Sequence, residues 1–210
     1  MKSNRLMILT ALFSLFCLAS FGQGPGKKEK VLKTKFGLKA GVNLANIKNG
    51  QTSLNFSPGM KTDFQAGAML NMHFGKRIEG SPVGTGKFGI QPELLYSRQG
   101  FTVNGESINL DFVTLPVMAK YYMTEKFNIG VGPYVGYLLS SAPNSSVIDG
   151  AQINLSDLKG SIDVGMGAGI GYETTFGLSV EARYNLGMSD MAKNLKWQNN
   201  VIAFSLGWLF

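Results

Sequence analysis

The feature that most constrains this chain is a period-two alternation of side chains, repeated in segment after segment and ending in Val201 to Phe210, V-I-A-F-S-L-G-W-L-F. In that stretch Ile202, Phe204, Leu206, Trp208 and Phe210 share one parity and are bulky and apolar, while Ala203, Ser205 and Gly207 on the other are small. Successive side chains of a strand point to opposite faces, so this is a strand with two unlike faces. The last residues of a soluble domain usually fray into water. A final strand ending in Trp and Phe reads instead as anchored.

Six of the seven earlier segments carry the same pattern. Phe36 to Ile47 sets Phe36, Leu38, Ala40, Val42 and Leu44 against Gly37, Lys39, Gly41 and Asn43. Asp63 to Gly75, Phe88 to about Gln99, Phe127 to Leu139, Ile162 to Glu173 and Phe176 to Gly187 repeat it, each with an apolar parity opposite a small or polar one. The segment from about Ile108 to Met123 departs from it, because its apolar parity switches between Phe112 and Val113. The switch calls for a bulge, or for an upper segment standing above the main sheet. Residues 48 to 62 and 140 to 161 read as loops, the second being the longest, with Asn144 to Ser146 near its tip. The count is eight strands, long enough to cross a bilayer at a tilt, which takes about 9 to 11 residues each. Very short connections after strands four and six and longer ones after strands one, five and seven match short periplasmic turns and longer external loops.

The first 22 residues have the layout of a secretory signal: Lys2 and Arg5, an apolar run from Leu6 to Leu18, then small residues suited to cleavage before Gln23. Cys17, the only cysteine, lies inside it, and a lipoprotein reading would need a small residue where Phe16 stands. Cleavage takes the 20 basic residues to 18 against 13 acidic ones, leaving a mature charge of +5 and no thiol. Residues 23–35 read as a basic periplasmic leader, with Lys27, Lys28, Lys30, Lys33 and Lys35 forming either a solvated tail or a contact for anionic lipid or a partner. Beyond the signal, no apolar run approaches the ~18 residues of a membrane helix. A chain of this kind enters a bilayer only as a closed barrel, here residues 36–210.

Aromatic residues decide which face meets lipid. Phe36, Phe74, Phe88, Tyr121, Phe127, Tyr172, Phe176 and Phe210 stand at the strand ends nearest the termini, and Phe64, Tyr96, Tyr137 and Tyr184 stand toward the other rim, all on the apolar face. Two girdles around an apolar band suit the two membrane interfaces. A lipocalin-like soluble barrel would expose those rings to water. The charges fall on the opposite parity: Lys39, Glu93, Lys120, Asp163, Glu181 and Arg183. An eight-stranded barrel is narrow enough for side chains to fill, and isolated buried charges are costly, so these groups should pair inside the lumen. The expected core of that network is Lys39, Glu93, Glu181 and Arg183, with Lys120 near the periplasmic mouth. A wide channel is not expected. Pro92, Pro116 and Pro133 lie within strands of a barrel that offers no free edge, and bulges are the expected means of absorbing them.

Little else points to chemistry. The glycines of Gly165 to Gly171 recur at every second residue and no helix follows, so the run is not a nucleotide loop. His73, the single histidine, faces inward near the periplasmic end without the partners a metal needs. A lipid-modifying enzyme would place its nucleophile and base at the external rim, where no Ser/His/Asp set is found. Neither a cofactor nor a nucleic-acid partner is expected.

The stretches F-G-L-K-A-G-V-N-L-A-N-I, G-I-Q-P-E-L-L-Y-S-R-Q-G-F, F-V-T-L-P-V-M-A-K-Y-Y and D-V-G-M-G-A-G-I-G-Y-E resemble the PorT-like outer-membrane β-barrel domain family, over nearly all of residues 36 to 210. Small barrels of the OmpA or OmpX type are also similar in layout. The resemblance implies a non-enzymatic, eight-stranded antiparallel up-and-down transmembrane β-barrel in outer-membrane lipid, and the namesake is tied to secretion across that membrane. The alternating tail ending in Phe210 is similar to the terminal signal read by the barrel-assembly machinery. That machinery, extracellular partners of the loops and a secretion apparatus are the partners these likenesses imply.

Overall fold

The computed structural model describes residues 30–50, 59–76, 87–103, 105–143, 145–148, 151–154, 160–189 and 196–210. The signal segment, the leader up to residue 29 and the turn at 77–86 lie outside them. Among the described residues ten strands are present: β1 (Lys30–Gly50), β2 (Lys61–Lys76), β3 (Phe88–Val103), β4 (Glu106–Tyr122), β5 (Phe127–Ala142), β6 (Ser145–Ile148), β7 (Ala151–Asn154), β8 (Ile162–Glu173), β9 (Leu178–Gly187) and β10 (Lys196–Leu209). Eight of them close into a barrel in the order β1-β10-β9-β8-β5-β4-β3-β2, and β6 with β7 form a separate hairpin in the connection between β5 and β8. Closure is made by antiparallel pairing of β1 with β10, from Gly37 opposite Leu209 to Gly50 opposite Lys196. The Phe210 amide extends that seam by donating to the Phe36 carbonyl at 2.8 Å.

Two expected boundaries move. β1 begins at Lys30, pairing with Lys76, so residues 30 to 35 of the basic segment belong to the barrel rather than to a leader. Their density of lysine hid a strand. Ser145 and Ser146 lie in β6, the first strand of the loop hairpin, and Asn144 lies outside the described residues.

The strands outrun the bilayer, and this explains the parity switch in β4. A 16-residue strand such as β3 rises about 53 Å at ~3.3 Å per residue, or roughly 40 Å along the axis at a 40° tilt, against an apolar band of about 25 Å. Below the extracellular girdle, Val113, Leu115, Val117, Ala119 and Tyr121 face outward while Thr114, Met118 and Lys120 face the lumen. Above it the chemistry inverts. Ile108, Leu110 and Phe112 point inward and are buried, together with Phe101, Val103, Leu138, Ile47 and Val201, while Asn109 and Asp111 point outward. The projecting rim has water outside, so it is built like a soluble barrel with an apolar core. Inward and outward alternation along β4 is unbroken; what changes at Phe112/Val113 is the solvent. A bulge is present as well, but it sits in β5. Phe112 faces Leu138 and Asp111 faces Ser140, leaving Leu139 as the extra residue. That insertion turns the Ser140 hydroxyl outward to donate to Asp111 at 2.8 Å.

The prolines are accommodated without bulges. Pairing of β2 with β3 stops at Met69–Glu93 and resumes at Met72–Ile90 in the same register, while on its other side Pro92 stays opposite Val117. Pro116 likewise interrupts the pairing with β3 yet remains opposite Tyr134, and Pro133 interrupts the pairing with β4 yet remains opposite Met166. Each proline therefore spoils one short stretch of ladder on one side, where its missing N–H would have pointed.

Candidate functional site

The lumen is the site that the strands build. Alternation puts Lys39 of β1, Gln91 and Glu93 of β3, Lys120 and Tyr122 of β4, Glu173 of β8, and Glu181 and Arg183 of β9 on the inward face, and shear brings them to neighbouring depths. Arg183 donates from Nη1 to Glu93 Oε2 at 3.0 Å and from Nη2 to Oε1 at 2.6 Å, and also pairs with Glu181. Lys39 Nζ bridges the same two carboxylates at 2.9 and 3.0 Å. Gln91 donates to Glu93 at 2.6 Å. Lys120 lies 3.9 Å from Glu181 and 2.9 Å from Glu173, so it joins this core to a second cluster nearer the periplasm. There Glu173 also receives hydrogen bonds from Asn71, Tyr122 and Asn128.

Three cations, Lys39, Lys120 and Arg183, thus meet three carboxylates, Glu93, Glu173 and Glu181. The side chains of Arg183 and Glu93 are only 4% and 0% exposed. Burying such groups singly would cost several kcal/mol each, and the bidentate, mutually shared geometry is what offsets it. Room for the long side chains comes from the β8 glycines. A Cβ on Gly167 would stand 3.5 Å from Arg183 Cδ and 2.6 Å from Asn185 Oδ1, and one on Gly165 would stand 2.6 Å from the Tyr134 ring.

Of the six charged lumen residues expected from the sequence, Lys39, Glu93, Lys120, Glu181 and Arg183 come together, and Asp163 does not. Asp163 lies near the extracellular end, where it accepts hydrogen bonds from Tyr134 Oη at 3.0 Å, Ser189 Oγ at 3.1 Å and Asn199 Nδ2 at 3.5 Å. Inward parity alone predicts one network, but Asp163 and Glu173 sit at opposite ends of the same strand. Glu173 is the partner that sequence reasoning missed. Its signal was present, since it has the inward parity of β8 and the periplasmic depth of Lys120. His73 stacks on Tyr122 with ring centroids 4.2 Å apart. Among the described residues no group of three or more His, Cys, Asp or Glu is placed to hold a metal.

On the outside, Phe36, Phe74, Phe88, Tyr172, Phe176 and Phe210 of the periplasmic ring are exposed, with Tyr121 and Phe127 half-buried between neighbours. Phe36 stacks on Phe210 at 6.3 Å and Phe88 meets Tyr121 at 5.3 Å. Phe176 packs against Trp208 at 5.9 Å. Toward the other rim Phe64 meets Tyr96 at 5.9 Å, and Arg98, two residues beyond Tyr96, lies over the Phe64 ring at 5.6 Å. Arg98 Nε also donates to Asp111 Oδ1 at 2.8 Å. Both charges stand above the apolar band.

Comparison with known proteins agrees with this architecture. A family model described as an outer membrane protein beta-barrel domain matches residues 21–193. Among solved structures, Neisserial surface protein A is similar with a TM-score of 0.50 and 12% identity, over 83% of this chain and 97% of that one. The attachment invasion locus protein of Yersinia pestis, Ail, is similar with a TM-score of 0.45 and 16% identity, over 85% of this chain and 99% of that one. No match was found among curated protein sequences.

Proposed function

The chain belongs to the outer membrane protein β-barrel domain family, and we propose that within the outer membrane it serves as a sealed, non-enzymatic barrel that acts through its extracellular loops. The observation that carries this reading is the filled lumen. Ion pairs occupy its periplasmic half and an apolar core its extracellular rim. On this reading a solute larger than water crosses only by breaking buried ion pairs. The part left to make contacts is the projecting rim and its loops, above all the hairpin of β6 and β7.

Two measurements test this. In planar bilayers the purified protein should show no steady single-channel conductance under conditions where a general porin conducts; stable open channels would overturn the sealed reading. Replacing residues 145–154 with a short linker should leave a barrel whose mobility still changes on boiling, but should abolish capture of extracellular partners. If the barrel instead co-purifies with periplasmic or secretion components, and does so without the hairpin, the accessory secretion role implied by the PorT-like resemblance replaces the loop reading. The alternating tail ending in Phe210 is further proposed as the segment that the barrel-assembly machinery engages.

A further inference from the structure

Charge is divided unevenly between the two ends of the barrel. The segments that lead into or join strands at the periplasmic end, residues 23–35, 76–87 and 123–127, hold nine Lys and Arg against three Glu, an excess of six in a mature chain whose net charge is +5. The segments at the extracellular end, 48–63, 98–111, 140–163 and 188–199, hold six Lys and Arg against seven Asp and Glu. Between them the three lumen cations meet three carboxylates. All of the net positive charge therefore belongs to the periplasmic end.

Ion pairing follows the same division. Lys61 pairs with Asp63 and Arg98 with Asp111 at the extracellular end. At the other end Lys35, Lys87 and Lys126 enter no ion pair with a described carboxylate. Lys87 and Lys126 are exposed and Lys35 is half-buried. Each stands directly before a residue of the periplasmic aromatic ring, namely Phe36, Phe88 and Phe127. Such rings suit the headgroup level of a membrane, and one residue along a strand is only ~3.3 Å, so an ammonium on its four-carbon stem reaches that level. Register adds two more lysines, because Lys30 faces Lys76 across the β1–β2 ladder. Like charges directly opposite are destabilising, and this end of the ladder calls for a counter-charge.

The lysines also keep to one side. Strands β5, β4, β3, β2 and β1 are consecutive neighbours in the closed order, and they or the segments at their periplasmic ends carry all of these lysines. The turn from Thr174 to Gly177 and the end of β10 at Leu209 contain no cation.

We propose that this arc, from β5 round to β1, binds the phosphates of anionic phospholipid in the periplasmic leaflet. Depth favours lipid over an acidic periplasmic protein. Attraction between exposed charges fades within a Debye length, about 10 Å at 0.1 M salt, and the rings hold these lysines closer than that to the headgroups. The arc gathers anionic lipid on one flank of the barrel and leaves β8 to β10 to neutral lipid.

The test uses the mature barrel refolded into phosphatidylcholine vesicles with a trace of phosphatidylglycerol, or of phosphatidylcholine for reference, spin-labelled on the acyl chain. The motionally restricted fraction of the label measures association with the barrel. A basic residue beside an anionic membrane surface is worth roughly a factor of five. At 0.1 M salt the wild type should therefore favour phosphatidylglycerol by about tenfold or more, and 1 M salt should bring the preference below about twofold. Lys35→Gln, Lys87→Gln and Lys126→Gln together should lower the preference by about fivefold or more. The charge-matched set Lys159→Gln, Lys193→Gln and Lys196→Gln in the extracellular segments should change it by less than about twofold. Equal association of the two lipids with wild type would overturn the proposal and leave an acidic protein as the partner these lysines suit. A preference that survives the periplasmic substitutions or 1 M salt would overturn it as well. Should the periplasmic variant fail to fold, the salt dependence of the wild type decides the matter by itself.

Discussion

Removing the Arg183 guanidinium probes the lumen where its balance is tightest. Arg183→Met keeps much of the aliphatic volume but removes the two bonds to Glu93 and the pair with Glu181. The three-against-three balance becomes two cations against three carboxylates, in a space where Glu93 is fully buried. Lys39 must then serve both Glu93 and Glu181, helped at Glu181 only by the longer 3.9 Å approach of Lys120. Leaving one charge of a buried set uncompensated costs about 3–5 kcal/mol. At ~1.4 kcal/mol per factor of ten, the folding equilibrium constant should fall by roughly two to three and a half orders of magnitude. Adding Glu93→Gln restores the balance at two against two, so the double variant should be more stable than Arg183→Met by about 2 kcal/mol or more. The assay is equilibrium unfolding in urea from lipid vesicles, followed by tryptophan fluorescence and by the mobility difference between boiled and unboiled samples. Urea resistance unchanged in Arg183→Met, or a double variant whose loss is the sum of the two single losses, would refute a charge-balanced lumen.

Other consequences are simpler to state. Phe112 is buried in the apolar rim opposite Leu138, so Phe112→Ala should cost about 3–5 kcal/mol in the same unfolding assay; a loss under about 1 kcal/mol would mean that the rim has no packed core. Leu115 faces lipid, and Leu115→Arg should cost about 2–4 kcal/mol, whereas Ser107→Arg above the band should stay within about 0.5 kcal/mol. Equal costs would misplace the membrane. Phe210→Ala removes a ring from the seam with Phe36 and should reduce the folded yield in cells more than it lowers the urea midpoint of protein refolded in vitro; equal yields would dismiss the assembly role.

What the sequence revealed depended on which solvent a face meets. Along Phe36 to Ile47 and Val201 to Phe210 one face meets lipid and the other the lumen, so alternation alone marks the strand and its two faces. In β4 the same rule breaks down, because Ile108 to Phe112 rise beyond the bilayer and exchange their lipid for water. Periodicity reports a contrast between faces; it does not say which solvent is on which side. The lumen charges were legible by parity, and grouping them required depth. Lys39, Glu93, Glu181 and Arg183 converge because register and shear bring different regions of chain to one level, whereas Asp163 and Glu173 share a strand and part company over its length. The prolines were the least legible. Whether a missing N–H is tolerated depends on which neighbour it faces, and that is set only once the ladder is paired.

The assignment of faces along β4 admits a direct measurement. The chain's single cysteine, Cys17, lies in the expected signal, so single cysteines can be introduced from Ile108 to Tyr121 in the segment that follows it and spin-labelled in lipid vesicles. Accessibility to oxygen, which partitions into lipid, should peak at odd positions from 113 to 121. Accessibility to a water-soluble nickel reagent should peak at 109 and 111, with 108, 110 and 112 protected from both probes. Oxygen accessibility that peaks at even positions between 113 and 121, or a nickel reagent that reaches 110 and 112, would contradict a lipid-facing barrel capped by an apolar rim.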